Sequence, residues 1–187
     1  MTELPDPRAA RTRAKLRRAL LDECAGRPLS EVNVAAVVRR AGVGRATFYL
    51  HYRDLQEVAV DACAGVVRDA VEALHAWRGA PDPASPPPAL TAFCTALVPH
   101  ADVYRTLLAP GGGGPLGRVL HEELRARSLA ERTLAGAPQA ELIASAVAAT
   151  FSGVLADWLH GHIDTDPARF AEHVWLLLVT LHSAAVR

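Results

Sequence analysis

The residues best suited to chemistry lie in one short run, RRAGVGRATFYLHYRD, from Arg39 to Asp54. Four arginines, two tyrosines, a phenylalanine, a histidine and two glycines fall in these sixteen positions, and no acidic residue precedes Asp54. Guanidinium groups bind phosphate and can bond a guanine edge bidentately, while hydroxyls and imidazole are good phosphate partners. The mixture suits recognition of a polyanion. A solvated helix end and the wall of a chemical site are the alternatives.

Other constellations are poorer. His160 and His162 form an HxH pair, but at a helix end the two side chains splay and no third ligand is assured, so no metal site is expected. Cys24, Cys63 and Cys94 are odd in number and far apart, which makes neither a disulfide framework nor a metal knuckle. They read as small buried hydrophobes in a reducing compartment. PGGGGP, Pro110 to Pro115, lacks the Lys and Ser/Thr of a phosphate loop and follows a helix, so it reads as a flexible connection. Glu122 and Glu123 are adjacent on a helix and cannot face each other for acid–base work. No catalytic residue and no cofactor is expected, and the chain does not read as an enzyme.

The net charge of the 187 residues is zero, but it is unevenly divided. Eleven Lys and Arg stand against seven Asp and Glu up to Glu57, and nine against thirteen beyond it, which is +4 and −4. That asymmetry points to a polyanion for the first third alone. No uninterrupted apolar run reaches the roughly 18 residues of a membrane helix, and MTELPDPRAAR has no apolar leader core. A soluble, uncleaved, cytoplasmic protein with no membrane partner is expected.

The elements that must position these residues are all helical. Alanine and leucine abound, apolar residues recur every three or four positions, and nothing alternates with period two. The class is all-α, with about nine helices. Asp6 before Pro7 starts the first, whose apolar stripe is Leu16, Leu20, Leu21 and Cys24. Ser30 and Asn33 are both capping types ahead of a short second helix over Val34 to Ala41, closed by Gly42, and a third runs from Arg45 to Tyr52. The fourth begins near Asp54 and carries Leu74 and Trp77 on its apolar face. GAPDPASPPP, Gly79 to Pro88, is a loop. Further helices are predicted at Ala89–Val98, Val103–Leu108, Leu116–Leu134, Gln139–Leu159 and, after Asp166-Pro167, Ala168–Ala185.

Gly42-Val43-Gly44 between the second and third helices has the length and glycine content of a helix-turn-helix, whose second helix can lie in a major groove. Phe48 is the packing residue of that helix, with Arg45, Ala46, Thr47, Tyr49 and His51 facing outward. A helical hairpin with surface aromatics would share the spacing.

The segment LSEVNVAAVVRRAGVGRATFYLHYRDLQEV, residues 29–58, resembles the DNA-binding signature of the TetR family of transcriptional regulators. The resemblance is carried by AGV followed by TFYxHY and by the acidic start of the fourth helix. It implies a DNA-binding module over residues 1–53 and a regulatory, ligand-binding and dimerising domain over 54–187. Arg45, Ala46 and Tyr49 then approach the major groove, Thr47, Tyr49 and His51 bind phosphate, and Tyr52 and Arg53 belong to the same DNA-contacting segment. Asn33 caps the second helix and reaches a phosphate. Gly44 stands where the family has Ser, and Leu55 where a Lys commonly contacts phosphate, a contact Arg53 is placed to replace.

The resemblance further implies an isologous homodimer through the last two helices, suited to a palindromic operator on double-stranded DNA. Its expected apolar residues are Leu142, Val147, Phe151, Leu155 and Leu159 with Val174, Leu178 and Leu181. A core within one chain is the competing use of the same stripe. A pocket for a small hydrophobic effector is implied among Trp77, Phe93, Leu97, Tyr104, Leu107, Leu124, Phe151 and Trp158, with His100 and His121 as polar anchors. The expected function is a repressor released by that ligand. The rivals are an all-α binding protein or enzyme without DNA binding, and a ligand-independent or activating regulator.

Overall fold

The computed structural model describes residues 6–25, 27–76 and 82–184. Among these residues nine α helices form and no strand does: α1 (Pro7–Cys24), α2 (Val34–Ala41), α3 (Arg45–His51), α4 (Leu55–Ala76), α5 (Pro88–Leu97), α6 (Ala101–Leu107), α7 (Gly114–Leu134), α8 (Ala140–Leu159) and α9 (Pro167–Ala184). The all-α class and each predicted helix are present, with ends shifted by a residue or two. Local chemistry explains the starts. The Asp6 carboxylate accepts from the Arg8 amide at 2.9 Å ahead of Pro7, and Asp166 does the same for Ala168 and Arg169 ahead of Pro167. Each satisfies amides that the first helical turn leaves without a carbonyl.

The chain divides into two compact units, one ending at Cys63 and the other beginning at Ala64. The division falls inside α4, beyond Arg53, where the resemblance ends the DNA-binding module. The early part of α4 belongs with the first unit because Asp61 accepts the Tyr52 hydroxyl at 2.6 Å and pairs with Arg17 of α1 at 3.5 Å.

In the first unit Leu16, Leu20 and Cys24 of α1 are buried with Ala36 and Val37 of α2, Phe48 of α3 and Val58 of α4. In the second, α8 packs on α7 and α9, and α5 packs on α9. Phe93, Leu97, Leu120, Ala148, Phe151, Leu155 and Phe170 supply much of that core. α8 is 20 residues long with a mean hydropathy of 1.6, long and apolar enough to cross a membrane by composition. Counting uninterrupted apolar residues missed this, because Ser145, Thr150, Ser152 and Gly153 interrupt the run without making it strongly polar. Here the helix buries Ala144, Ala148, Phe151, Leu155 and Leu159 inside the protein.

PGGGGP departs from its expected flexible form. Pro110–Gly112 makes a 3-10 turn, closed by the Ala109 amide on the Gly113 carbonyl at 3.0 Å, and this turn packs against α8. The closeness is what demands glycine: a Cβ on Gly112 would stand 2.9 Å from the Ser152 backbone, and one on Gly117 would stand 2.0 Å from the Gly112 carbonyl oxygen. Ser152 and Gly153, small residues of α8, admit this turn. Of the expected loop at Gly79–Pro88, Gly79 to Pro81 lie outside the described residues.

Candidate nucleic-acid interface

The turn between α2 and α3 is built by its two glycines. Gly42 takes φ +65°, ψ +37°, a left-handed conformation in which a Cβ would be strained, and α2 closes there with the Gly42 and Val43 amides on the Arg39 and Val38 carbonyls. Gly44 is extended and opens α3 without a side-chain cap. The start of α2 has one: the Asn33 side chain accepts from the Ala36 amide at 3.0 Å. The cap uses the side-chain oxygen, whereas a phosphate would take the NH2 of the same amide.

Two aromatic side chains fix which way α3 faces. Phe48 is fully buried, and Tyr52 at the helix end is buried as well. The Phe48 ring lies 5.2 Å from that of Tyr49, edge on, and 6.1 Å from that of Tyr52. Tyr52 corrects the sequence expectation. Its hydroxyl donates to Asp61, Arg13 stacks over its ring at 5.3 Å, and burial, with Asp61 adding to it, pushes its phenol well above the ordinary value. It anchors α3 to α1 and α4 and does not face a phosphate.

Outward, Arg45, Ala46, Tyr49 and Leu50 are exposed, and Thr47 and His51 are half-buried. The Arg45 guanidinium lies 5.8 Å from the Tyr49 ring centre, which holds a charged group beside an aromatic face. Arg53 is exposed, but its backbone amide and Nε both reach the Glu57 carboxylate, at 2.8 and 3.2 Å. Those bonds hold Glu57 below its usual value, the amide first, while Asp54 caps α4 through the Glu57 amide. Arg53 is thus already paired at the place where it would stand in for the missing Lys. Leu50, an apolar side chain of α3 that is 81% exposed, escaped the sequence reading, because apolar residues are assigned to cores by default.

α1 and α2 are tied beneath this surface by Glu23, which pairs with Arg40 at 2.5 Å and also with Arg27. The Arg40 hydrogen bond leads in holding the Glu23 carboxyl below its usual range.

Neither a protein-family model nor a curated protein matches the sequence. Solved structures do match in shape. A transcriptional regulator from Rhodococcus sp. Rha1 superposes with a TM-score of 0.55 at 21% identity, over 94% of this chain and 98% of its own. The fatty acid degradation regulator FadR from Bacillus halodurans gives 0.54 at 15% identity, over 94% and 96%. NalD, the secondary repressor of the MexAB-OprM multidrug efflux pump in Pseudomonas aeruginosa, gives 0.52 at 19%, over 95% and 98%. The chain shares the fold of these three proteins.

In the second unit, an apolar cavity of about 60 Å³ lies among α4, α5, α7, α8 and α9. Its wall includes Val67, Leu90, Leu120, Val147, Trp175 and Leu178, together with Phe93, Leu124 and Phe151 from the expected pocket. The other expected residues do not line it. Leu97, Tyr104 and Leu107 are buried off its wall, and Trp158 stacks on Phe170 at 4.4 Å with its indole N–H on the Thr165 carbonyl. Trp77 lies outside the described residues, as does the side chain of Leu74. His100 and His121 are not on the wall either, so the polar anchors expected there are absent from it; the buried His100 Nδ1 has no hydrogen-bond partner among the described residues. Sequence spacing could identify apolar residues here but not which side of a helix meets a void.

The residues expected to pair two copies divide in the same way. Phe151, Leu155, Leu159 and Val174 are buried inside the single chain, which corrects their assignment to a dimer surface. Val147 and Leu178 face the cavity, and Leu181 is half-buried. Leu142 alone of that set stands open, at 63% exposure, along with Leu176 and Leu177 of α9. Behind them, the His160 imidazole is bonded to the Leu108 carbonyl at 2.9 Å and His162 meets Asp157 at 3.3 Å, so the HxH pair is spent on protein partners. All three cysteines are buried, and desolvation pushes the Cys94 thiol up to about 12.

Proposed function

We propose that the protein is a cytoplasmic, homodimeric transcriptional regulator that binds a palindromic operator through α3 and is released from it by a small apolar ligand. The observation that carries this reading is the orientation of α3. Phe48 and Tyr52 point inward, and Arg45, Ala46, Thr47, Tyr49, Leu50 and His51 are left on or beside its open side, at the most basic end of the chain. In this reading Arg45 bonds a base edge, Tyr49, Thr47 and His51 hold phosphates, and Asn33 sets the start of α2. The residues assigned to DNA lie within 1–53, in a unit that the early part of α4 completes, and the remainder regulates it. NalD is a repressor, and repression is the direction we assign here.

The cavity supports an uncharged, apolar effector, since no ionisable side chain lines it. A carboxylate or amine would enter it without a partner for its charge. The same wall offers no acid, base or nucleophile, which favours a binding site over an enzyme's. A ligand that prefers one arrangement of the dimer lowers operator affinity by that difference in affinity. The outward leucines Leu142, Leu176 and Leu177 are the apolar surface we assign to pairing of two copies through α8 and α9.

Selection from fragments of the source genome tests the reading. Recovered fragments are expected to share an inverted repeat whose half-sites lie about one helical turn apart. Recovery of fragments with no common sequence would overturn it.

A further inference from the structure

Leu50 is a leucine at 81% exposure on a helix whose other outward residues are polar, basic or small. A single exposed leucine on a protein surface means little. Its place on α3 means more. On a helix turning 100° per residue, Ala46 and Leu50 lie roughly 140° and 180° from the direction midway between the buried Phe48 and Tyr52. They are four residues apart and so adjoin on one face. Tyr49 flanks them on one side and Thr47 and His51 on the other. The outermost line of the helix is therefore an apolar strip between hydrogen-bonding groups.

Such a strip cannot bond a phosphate. In a major groove its complement is the C5-methyl of thymine, the apolar group that base edges present there. The charge of this unit favours DNA over an apolar protein partner, because Arg45 on the same helix and Arg39 on α2 are exposed and the first 57 residues carry +4. We propose that Leu50, backed by Ala46, reads thymine methyl groups, one cluster in each half of the operator. This assigns a specificity-determining residue within the DNA-binding function proposed above, and rests on it.

The test uses the full-length protein and an operator obtained by selection from random duplexes. Each thymine is then replaced by deoxyuridine, which removes the methyl and leaves base pairing intact. The wild type is expected to lose about four-fold in affinity per half-site at one position, the value of one buried methyl. Leu50→Ala is expected to bind the thymine operator more weakly by a similar factor and to be indifferent to uracil at that position. Leu50 is exposed, so the variant should fold, and circular dichroism checks that it does. If every uracil is tolerated, or Leu50→Ala keeps the wild-type sensitivity, the methyl-reading role is overturned while operator binding stands. If Leu50→Ala instead binds all duplexes normally but loses self-association, the strip is a protein contact and the proposal is wrong. If selection yields no common sequence, the DNA-binding reading fails and this assignment falls with it.

Discussion

Tyr52 shows how one hydroxyl decides what a residue is for. At its place in TFYxHY it looks like a DNA contact, yet its ring is buried and its hydroxyl reaches Asp61 at 2.6 Å. Tyr52→Phe keeps the ring packing and removes only that bond, made to a part-buried carboxylate that also pairs with Arg17 at 3.5 Å. A hydrogen bond to a charged group is worth about 1.5–3 kcal/mol, so the melting temperature should fall by several degrees. An unchanged melting temperature would show that the bond does not hold α3 in place. Leu50 is the opposite case, an apolar residue that pattern reading sends to a core and the structure leaves in the open.

At the scale of elements, most of the architecture could be read from local chemistry. Asp6-Pro7, Asn33, Gly42, Asp54 and Asp166 each cap or close a helix through contacts within a few residues, so their effect is written in adjacent positions. Gly42 is one place to test this. Nothing lies within 4 Å of a Cβ built there, so Gly42→Ala meets no clash and pays only the left-handed backbone, about 1–2 kcal/mol by thermal or urea unfolding. Loss of less than a few tenths would mean that the turn adapts easily.

The clip between α1 and α2 gives a pH dependence. Glu23 has a folded pKa below its usual 4.5, chiefly through Arg40. Its contribution to stability is complete above that usual value and is lost as pH falls through the lowered folded one. Glu23→Gln should therefore melt below the wild type at neutral pH, and the gap should close as the pH drops well under 4.5. A gap independent of pH would assign the loss to packing.

What the sequence left open was long-range. α8 is apolar on most of its circumference, so the spacing of Phe151, Leu155 and Leu159 cannot distinguish burial against α7 and α9 from burial against a second copy. The pocket residues failed for the same reason: Leu97 and Phe93 share a helix and a composition, but only Phe93 meets the void.

For the whole molecule, the assignment of pairing to the outward leucines makes a prediction that differs from one based on the stripe. Leu176→Glu with Leu177→Glu should shift the protein from dimer to monomer in sedimentation velocity while it stays folded. Leu155→Glu, at a side chain only 2% exposed, should unfold the second unit instead. A folded dimer in the Leu176/Leu177 double variant would place the interface elsewhere.

The measurement closest to the central claim is the affinity of the full-length protein for its selected operator against a scrambled duplex, by fluorescence anisotropy over a range of salt. Specific recognition through α3 predicts a preference of at least about a thousand-fold, with affinity falling steeply as salt rises. Tyr49→Ala should weaken binding to both duplexes and leave the salt slope unchanged, since the phenol carries no charge, and Arg45→Ala should relax the preference at one base position. Equal affinity for operator and scrambled DNA in the wild type would contradict the account.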